Sequence, residues 1–177
     1  MITEPEPWTV ETATWLRMAI ETDIPIFGIC YGHQLIAYAM GGTVGYHSKG
    51  MEIGAVEIET SPLSDHDPLF HNLPKHFMVY ANHEQSVLRL PEGAEVLAFN
   101  LFEPYHAFVI KHNCWGVQFH PEFTPAIMKS YILAQQDILR EKGIDTIKIS
   151  DSISPSPFGR SLIQRFCKMA FGYRYKL

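Results

Sequence analysis

The feature that most constrains this chain is a glycine-flanked cysteine that follows a short apolar run. Residues 25–29 (Pro-Ile-Phe-Gly-Ile) are apolar and short, which is typical of a buried parallel strand. Residues 33–40 have the character of a helix that ends at a glycine pair. Cys30 lies between strand and helix, with Gly28 two residues before it and Gly32 two residues after. This arrangement predicts a nucleophile elbow, a sharp turn that presents a reactive side chain.

The same turn predicts how Cys30 becomes reactive. Glycines at both flanking positions are expected to prevent collisions in a strained backbone. The thiol is expected at the amino end of the following helix, where the peptide dipoles favour a thiolate. The amide of Tyr31 points to the same place and could donate to an oxyanion. The alternative is a small core residue, which is how we interpret Cys114 and Cys167, because neither has flanking glycines.

A nucleophilic thiol needs a base, and His120 is the best candidate among nine histidines. It follows an apolar strand, and Pro121 interrupts the strand before Glu122. Residues two apart on an extended chain project to the same side, so Glu122 can accept a hydrogen bond from His120. That bond would leave the other ring nitrogen for the thiol. The alternative is a turn histidine beside a surface glutamate, and His33 is expected to point away from the thiol.

The rest of the chain predicts an α/β domain. Apolar spacing predicts a helix over 9–22, and Thr124-Pro125 predicts the start of another helix that ends at Gly143. A polar linker over 150–157 is followed by a short terminal helix. The strand-like runs are Ala55–Glu59, Phe77–Tyr80, Val96–Phe99, Ala107–Ile110 and Trp115–Phe119, and the last two are predicted to form a hairpin.

Composition excludes several classes of function. The chain of 177 residues has a formal net charge of -5, so nothing indicates binding to nucleic acid or to an anionic membrane. Paired Cys-x-x-Cys and His-Glu-x-x-His motifs are absent from the sequence, and we expect neither a metal nor a cofactor. The three cysteines are an odd, scattered set, which predicts free thiols and a cytoplasmic location.

Two motifs together resemble the class I (triad) glutamine amidotransferases. They are Gly28-Ile-Cys-Tyr-Gly-His-Gln34 and Gln118-Phe-His-Pro-Glu122, in the chain order Cys, His, Glu of that family. Stand-alone proteins similar to the amidotransferase domain of GMP synthase fit best. The resemblance implies a three-layer, flavodoxin-like α/β fold and hydrolysis of the glutamine side-chain amide through a thioester.

The resemblance also implies roles for individual residues. Cys30 is the implied nucleophile, His120 the base and acid, Glu122 the residue that orients it, and the Tyr31 amide an oxyanion donor. Substrate-binding positions are implied at Gln34 and in a loop resembling the family's glutamine-binding loop, namely at Asn82, His83, Glu84 and Gln85. For Asn82 and His83 a strand-end turn with local hydrogen bonds is an equal alternative.

The sequence departs from the family in two respects. No synthase region follows, so we expect a separate ammonia-accepting subunit or a plain hydrolase. The amino-terminal strands of the family fold, with their glycine-rich loop, are not recognisable, so the chain resembles a truncated form. We therefore divide it into an incomplete amidotransferase domain over 1–149 and a linker with a short helix over 150–177. A γ-glutamyl peptide or conjugate hydrolase and a non-catalytic remnant stay open as alternatives.

Overall fold

The computed structural model describes residues 1–174 as an α/β protein with a mixed six-stranded sheet and a separate two-stranded sheet. The strands are β1 (Ile26–Ile29), β2 (Thr43–Tyr46), β3 (Glu52–Thr60), β4 (His76–His83), β5 (Gln85–Arg89), β6 (Ala94–Phe99), β7 (Ala107–Ile110) and β8 (Cys114–Val117). The helices are α1 (Pro7–Ile20), α2 (Tyr31–Ala39), α3 (Pro125–Ala134), α4 (Gln136–Glu141), α5 (Thr146–Asp151) and α6 (Pro157–Arg174), and a 3-10 helix spans Pro62–His66.

The order of strands in the main sheet is β1-β8-β7-β6-β3-β4. β1 and β8 are parallel, whereas each of the other neighbouring pairs is antiparallel. The predicted hairpin is confirmed, because Ala107 pairs with Val117 and Ile110 with Cys114. The parallel pair brings the carboxyl ends of β1 and β8 together, immediately before Cys30 and Gln118.

Helices cover both faces of the sheet and give the predicted three layers. On one face, α1 and α2 pack over the sheet through buried residues such as Leu16, Ile36 and Phe108. On the other face, α6 places Leu162 among the buried side chains of β8, including Trp115. A third cluster joins α3, α4 and α5 to β3 and β4. The three-layer α/β prediction is thus confirmed.

Several sequence expectations need correction. The predicted helix after Thr124 is two helices, α3 and α4, with a break at Gln135, where the backbone leaves the helical region (φ -104°, ψ 9°). Its predicted apolar stripe is only half buried, because Ile127, Tyr131 and Ile138 are exposed. Ile127 and Tyr131 lie on α3 together with the buried Met128 and Ile132, so the predicted stripe is wider than the face of α3 that packs against the body.

The carboxyl-terminal region is also more structured than expected. Helix α5 covers the start of the predicted linker, and α6 has 18 residues rather than being short. Residues 175–177 of the predicted segment lie outside the described residues. β2 and β5, which pair with each other, have no counterpart among the predicted strands. Among residues 1–174, none of the helices combines the length and apolar character that a bilayer span requires.

Candidate active site

Cys30 lies in the sharp turn between β1 and α2 that the sequence predicts. Its backbone has φ 49° and ψ -99°, a conformation that side-chain-bearing residues rarely adopt and that proteins retain chiefly at functional sites. The turn is tied to the neighbouring strand, because the Cys30 amide donates to the Val117 carbonyl at 2.8 Å. Cys30 is also the residue that caps the amino end of α2, and its side chain is partly exposed.

The two flanking glycines do not have the same purpose. A Cβ on Gly28 would lie 2.5 Å from the Ile36 side chain and 2.6 Å from the backbone of Gly32, so only glycine fits there. A Cβ on Gly32 would meet no atom within 4 Å. The expectation that both glycines prevent collisions is therefore wrong for Gly32, because its Cα faces open space rather than the turn.

Tyr31 is the first residue of α2, so its amide has no intrahelical acceptor and remains available near the sulfur. Its side chain is held by other contacts. The phenol oxygen hydrogen-bonds to Thr9 Oγ1 at 2.8 Å, and the ring packs against Trp8 with centroids 5.4 Å apart. Helix α1 thereby fixes the side chain of the residue that follows Cys30.

His120 and Glu122 lie just beyond the carboxyl end of β8, the strand that pairs with the one leading into Cys30. The Nδ1 atom of His120 and the Oε1 atom of Glu122 are 2.7 Å apart, so the predicted hydrogen bond is present. The ring stacks on Phe123 with centroids 4.2 Å apart, and the His120 amide donates to the Tyr80 carbonyl at 2.7 Å. These contacts fix both the ring and its backbone, and they leave Nε2 as the nitrogen available to Cys30.

The electrostatics of His120 favour the charged imidazole. Burial opposes protonation of the ring, but the nearby Cys30 and the hydrogen-bonded Glu122 outweigh burial and raise the pKa of His120 to about 9. At neutral pH the ring is therefore an imidazolium beside the sulfur.

His33 is buried away from the solvent-facing side of the turn. Its ring lies against Phe108, with centroids 4.7 Å apart, and a Cβ on Gly116 would meet its Nδ1 atom at 2.8 Å. Burial lowers the pKa of His33 to about 3, so the ring is neutral at physiological pH. His33 is part of the packing between α2 and the sheet.

Gln118 belongs to the second sequence motif but is not among the predicted site residues. It is fully buried, and its Nε2 atom lies 3.5 Å from Cys30 Sγ. Its Oε1 atom accepts from Gln34 Nε2 at 3.0 Å. The sequence contains a signal for this position. Gln118, His120 and Glu122 are two residues apart, so on an extended chain all three side chains project to the same side.

A cavity of about 230 Å³ adjoins Cys30. Its lining includes the cysteine, Tyr31 and all five predicted substrate-binding residues: Gln34, Asn82, His83, Glu84 and Gln85, together with Met1, Met51 and Gln135. The volume lies below the roughly 300–1,000 Å³ of sites for drug-sized ligands, so the cavity suits a small metabolite.

Within this cavity the side chain of Gln34 has one orientation. Its Nε2 atom donates to the Gln85 carbonyl at 2.6 Å and to Gln118 at 3.0 Å. Both N–H groups of the amide are therefore used, and only its oxygen is left to accept a further hydrogen bond. The wall opposite α2 is held by other contacts, since Gln135 donates to Asn82 at 3.5 Å and Glu84 pairs with Lys142.

Fold and turn together define an α/β protein with a cysteine at a strand-to-helix elbow. A family profile described as glutamine amidotransferase class-I matches residues 4–138, and the chain belongs to this family. The resemblance stated from the two motifs is thus confirmed for the family and its fold.

Individual relatives of this chain are also glutamine amidotransferases or glutamine-hydrolysing GMP synthases. The chain is 30% identical over 164 residues to one subunit of the glutamine-hydrolysing GMP synthase of Methanocaldococcus jannaschii, covering 91% of this chain and 68% of that one. It is 38% identical over 128 residues to the GMP synthase of Thermomicrobium roseum, covering 72% of this chain but spanning only 23% of that protein. A solved glutamine amidotransferase from Thermotoga maritima superposes with a TM-score of 0.76 at 27% identity, covering 90% of this chain and 70% of that one.

Proposed function

We propose that the chain hydrolyses the side-chain amide of glutamine to glutamate and ammonia through a thioester on Cys30. The observation that carries this proposal is the convergence of three features on one cysteine. They are a cysteine in a strained elbow, an imidazole paired with a carboxylate beside it, and a pocket of metabolite size lined by the positions that the family resemblance implies. Membership of the family supports the reaction class.

The first half of the proposed reaction forms the thioester. The Cys30 sulfur attacks the side-chain amide carbon of glutamine, and the carbonyl oxygen becomes an oxyanion that the Tyr31 amide stabilises. His120, protonated at the start, gives its proton to the amide nitrogen. The carbon–nitrogen bond then breaks, and ammonia leaves.

The second half reverses the role of the imidazole. Neutral His120 takes a proton from water, and the resulting hydroxide attacks the thioester carbon. The carbon–sulfur bond breaks, which returns the sulfur as a thiolate beside an imidazolium and releases glutamate with a proton that ammonia can accept. Glu122 keeps the ring oriented through both halves by its bond to Nδ1.

The proposed substrate matches the polarity of the cavity. The Gln34 side-chain oxygen can accept from an N–H donor. Apart from Met1, Met51 and Cys30, the residues that line the cavity are polar or aromatic. We assign the amino-acid end of glutamine to the wall formed by Asn82, His83, Glu84 and Gln85.

The M. jannaschii relative is named as a subunit, which motivates a further part of the proposal, namely that ammonia passes to a separate synthase subunit.

The test measures ammonia release from glutamine by the wild-type chain, by Cys30→Ala and by Cys167→Ala. Cys167 is the matched control, because it is an exposed thiol on α6. We expect Cys30→Ala to lose at least about 10³-fold in rate and Cys167→Ala to be unchanged. Equal rates in wild type and Cys30→Ala would contradict the proposal.

The same assay separates the alternatives. Faster hydrolysis of a γ-glutamyl peptide or conjugate than of glutamine would indicate a γ-glutamyl hydrolase with the same nucleophile. No turnover of any substrate, and no labelling of Cys30 by a glutamine-like chloroketone, would indicate a non-catalytic remnant.

A further inference from the structure

A buried carboxylate, Glu52, lies behind the wall of the cavity and has no part in the proposed reaction. It begins β3 and is paired directly across the sheet with His83 on β4. Its Oε2 atom is 3.0 Å from His83 Nε2 and 3.1 Å from His106 Nε2. Its Oε1 atom accepts from Asn100 Nδ2 at 2.9 Å. Three polar side chains, one from β4 and two from the turn between β6 and β7, thus meet at one carboxylate.

Such a carboxylate is costly unless its oxygens are paired. Glu52 is only 7% exposed, and burial alone would favour its neutral form. The close imidazoles of His106 and His83 outweigh burial and hold the pKa of Glu52 well below its usual range. The group is therefore an anion whose removal leaves the buried His83 and the half-buried Asn100 without their acceptor.

The first segment that Glu52 holds is the cavity wall. His83 lines the cavity, and its Nδ1 atom lies 3.1 Å from the Gln85 carbonyl. The same carbonyl accepts from Gln34 at 2.6 Å. The ring of His83 therefore contacts Glu52 through Nε2 and the wall residues Gln85 and Ser86 through Nδ1. The position of the Gln34 amide depends on that wall in turn.

The second segment is the turn between β6 and β7. Asn100, which donates to Glu52, accepts from the amides of Phe102 at 2.8 Å and Glu103 at 2.7 Å. The carbonyl of His106 accepts from the Gln118 amide at 2.8 Å. Since the Gln118 side chain contacts Cys30, this turn supports the other side of the site.

We propose that Glu52 is a positioning residue that holds residues 82–85 and 100–106 in register, and thereby sets the affinity of the cavity for its ligand. The identity of that ligand rests on the proposed function. Glu52 does not line the cavity, so its effect is carried by His83, Asn100 and His106. The competing explanation is that the carboxylate contributes only to the stability of the fold.

The experiment compares Glu52→Gln, which keeps the shape and removes the charge, with Glu57→Gln, an exposed position on the same strand. Four quantities are measured. They are the KI and maximal rate of inactivation by a glutamine-like chloroketone, the rate of Cys30 alkylation by iodoacetamide, and amide hydrogen exchange along the chain. Iodoacetamide has no amino-acid end, so its rate reports the nucleophile alone.

We expect Glu52→Gln to raise KI about tenfold or more, the size of one lost charged hydrogen bond, with little change in the maximal rate. Exchange should increase in 82–85 and 100–106, while iodoacetamide alkylation stays at the wild-type rate. Glu57→Gln should match wild type throughout. Any of three results would overturn the proposal. The first is a KI for Glu52→Gln no higher than that of Glu57→Gln, and the second is unchanged exchange in both segments. The third is a uniform increase in exchange along the chain together with slower alkylation.

Two further outcomes also decide the matter. If Glu52→Gln does not fold, Asn100→Ala removes one of the three contacts, and the proposal requires it to raise both KI and exchange in 100–106. If the wild-type chain is not saturably inactivated by the chloroketone but reacts with iodoacetamide, the proposed function fails. Amide hydrogen exchange of Glu52→Gln in residues 82–85 and 100–106 then decides separately whether Glu52 holds these two segments.

Discussion

The side-chain amide of Gln118 lies 3.5 Å from the sulfur of Cys30 and is held in place by Gln34. Because it donates an N–H to the sulfur from a fully buried position, it should stabilise the thiolate. We expect Gln118→Leu to slow both glutamine hydrolysis and iodoacetamide alkylation at neutral pH by about 10-fold or more. Gln164→Leu, on the exposed part of α6, is the control. An alkylation rate equal to wild type would show that the contact with the sulfur is incidental.

The two glycines around Cys30 should respond oppositely to alanine. Gly28→Ala places a Cβ 2.6 Å from backbone, so we expect it to destabilise the protein by about 1–3 kcal/mol or more. Gly32→Ala meets open space within α2, where alanine favours the helix by up to about 1 kcal/mol. Urea unfolding of both variants measures the difference. A similar decrease in the free energy of unfolding for Gly28→Ala and Gly32→Ala would contradict the assignment of distinct roles.

The pKa of His120 should depend on both of its partners. Ring-proton NMR should show a wild-type titration near the pKa of about 9, since Cys30 and Glu122 both stabilise the imidazolium. Cys30→Ala and Glu122→Gln should each lower that pKa, because each removes one source of stabilisation while burial of the ring continues to oppose protonation. A midpoint that neither variant moves would exclude the described coupling.

Burial of His33 should make the protein sensitive to acid. Its pKa falls from 6.5 to about 3 on folding, so between these values the unfolded chain binds a proton that the folded chain does not. Stability should therefore decrease as pH falls below 6.5, by up to about 1.4 kcal/mol per pH unit. His33→Leu should make the urea midpoint depend less on pH between about pH 6.5 and 5. His66→Gln, at an exposed site, should leave that pH dependence unchanged. Equal slopes in wild type and His33→Leu would contradict this origin.

Leu162 tests whether α6 is part of the folded body. Its side chain is fully buried against the sheet, so Leu162→Ala should cost about 2–5 kcal/mol in the free energy of unfolding. Phe171, on the same helix, is 61% exposed, and Phe171→Ala should change stability by less than about 0.5 kcal/mol. Denaturant unfolding at fixed pH measures both. A small effect at Leu162 would mean that α6 packs independently of the core.

The elbow and the His120–Glu122 pair were predictable because both depend on neighbours in sequence. Glycine flanks, a strand before and a helix after are local signals, and so is the alternation that pairs the two side chains. The same alternation extends one step back to Gln118, so its position beside Cys30 could have been inferred.

Other parts of the site depend on contacts between distant residues, which the sequence does not display. Glu52 and His83 are brought together by the register of β3 against β4, and His106 joins them through the fold of the β6–β7 turn. β2 and β5 were missed for a similar reason. Their sequences, Thr-Val-Gly-Tyr and Gln-Ser-Val-Leu-Arg, have too few apolar residues to be recognised before they are paired.

Helix α6 has a consequence for how the protein is handled. The ring of Phe166 stacks on that of Phe27, with centroids 5.2 Å apart, and Phe27 belongs to the strand that leads into Cys30. An affinity tag or a fused partner at the carboxyl end follows a helix that packs against the strand leading into Cys30. Preparations that differ only in such an attachment would be expected to differ in how fast that thiol is alkylated.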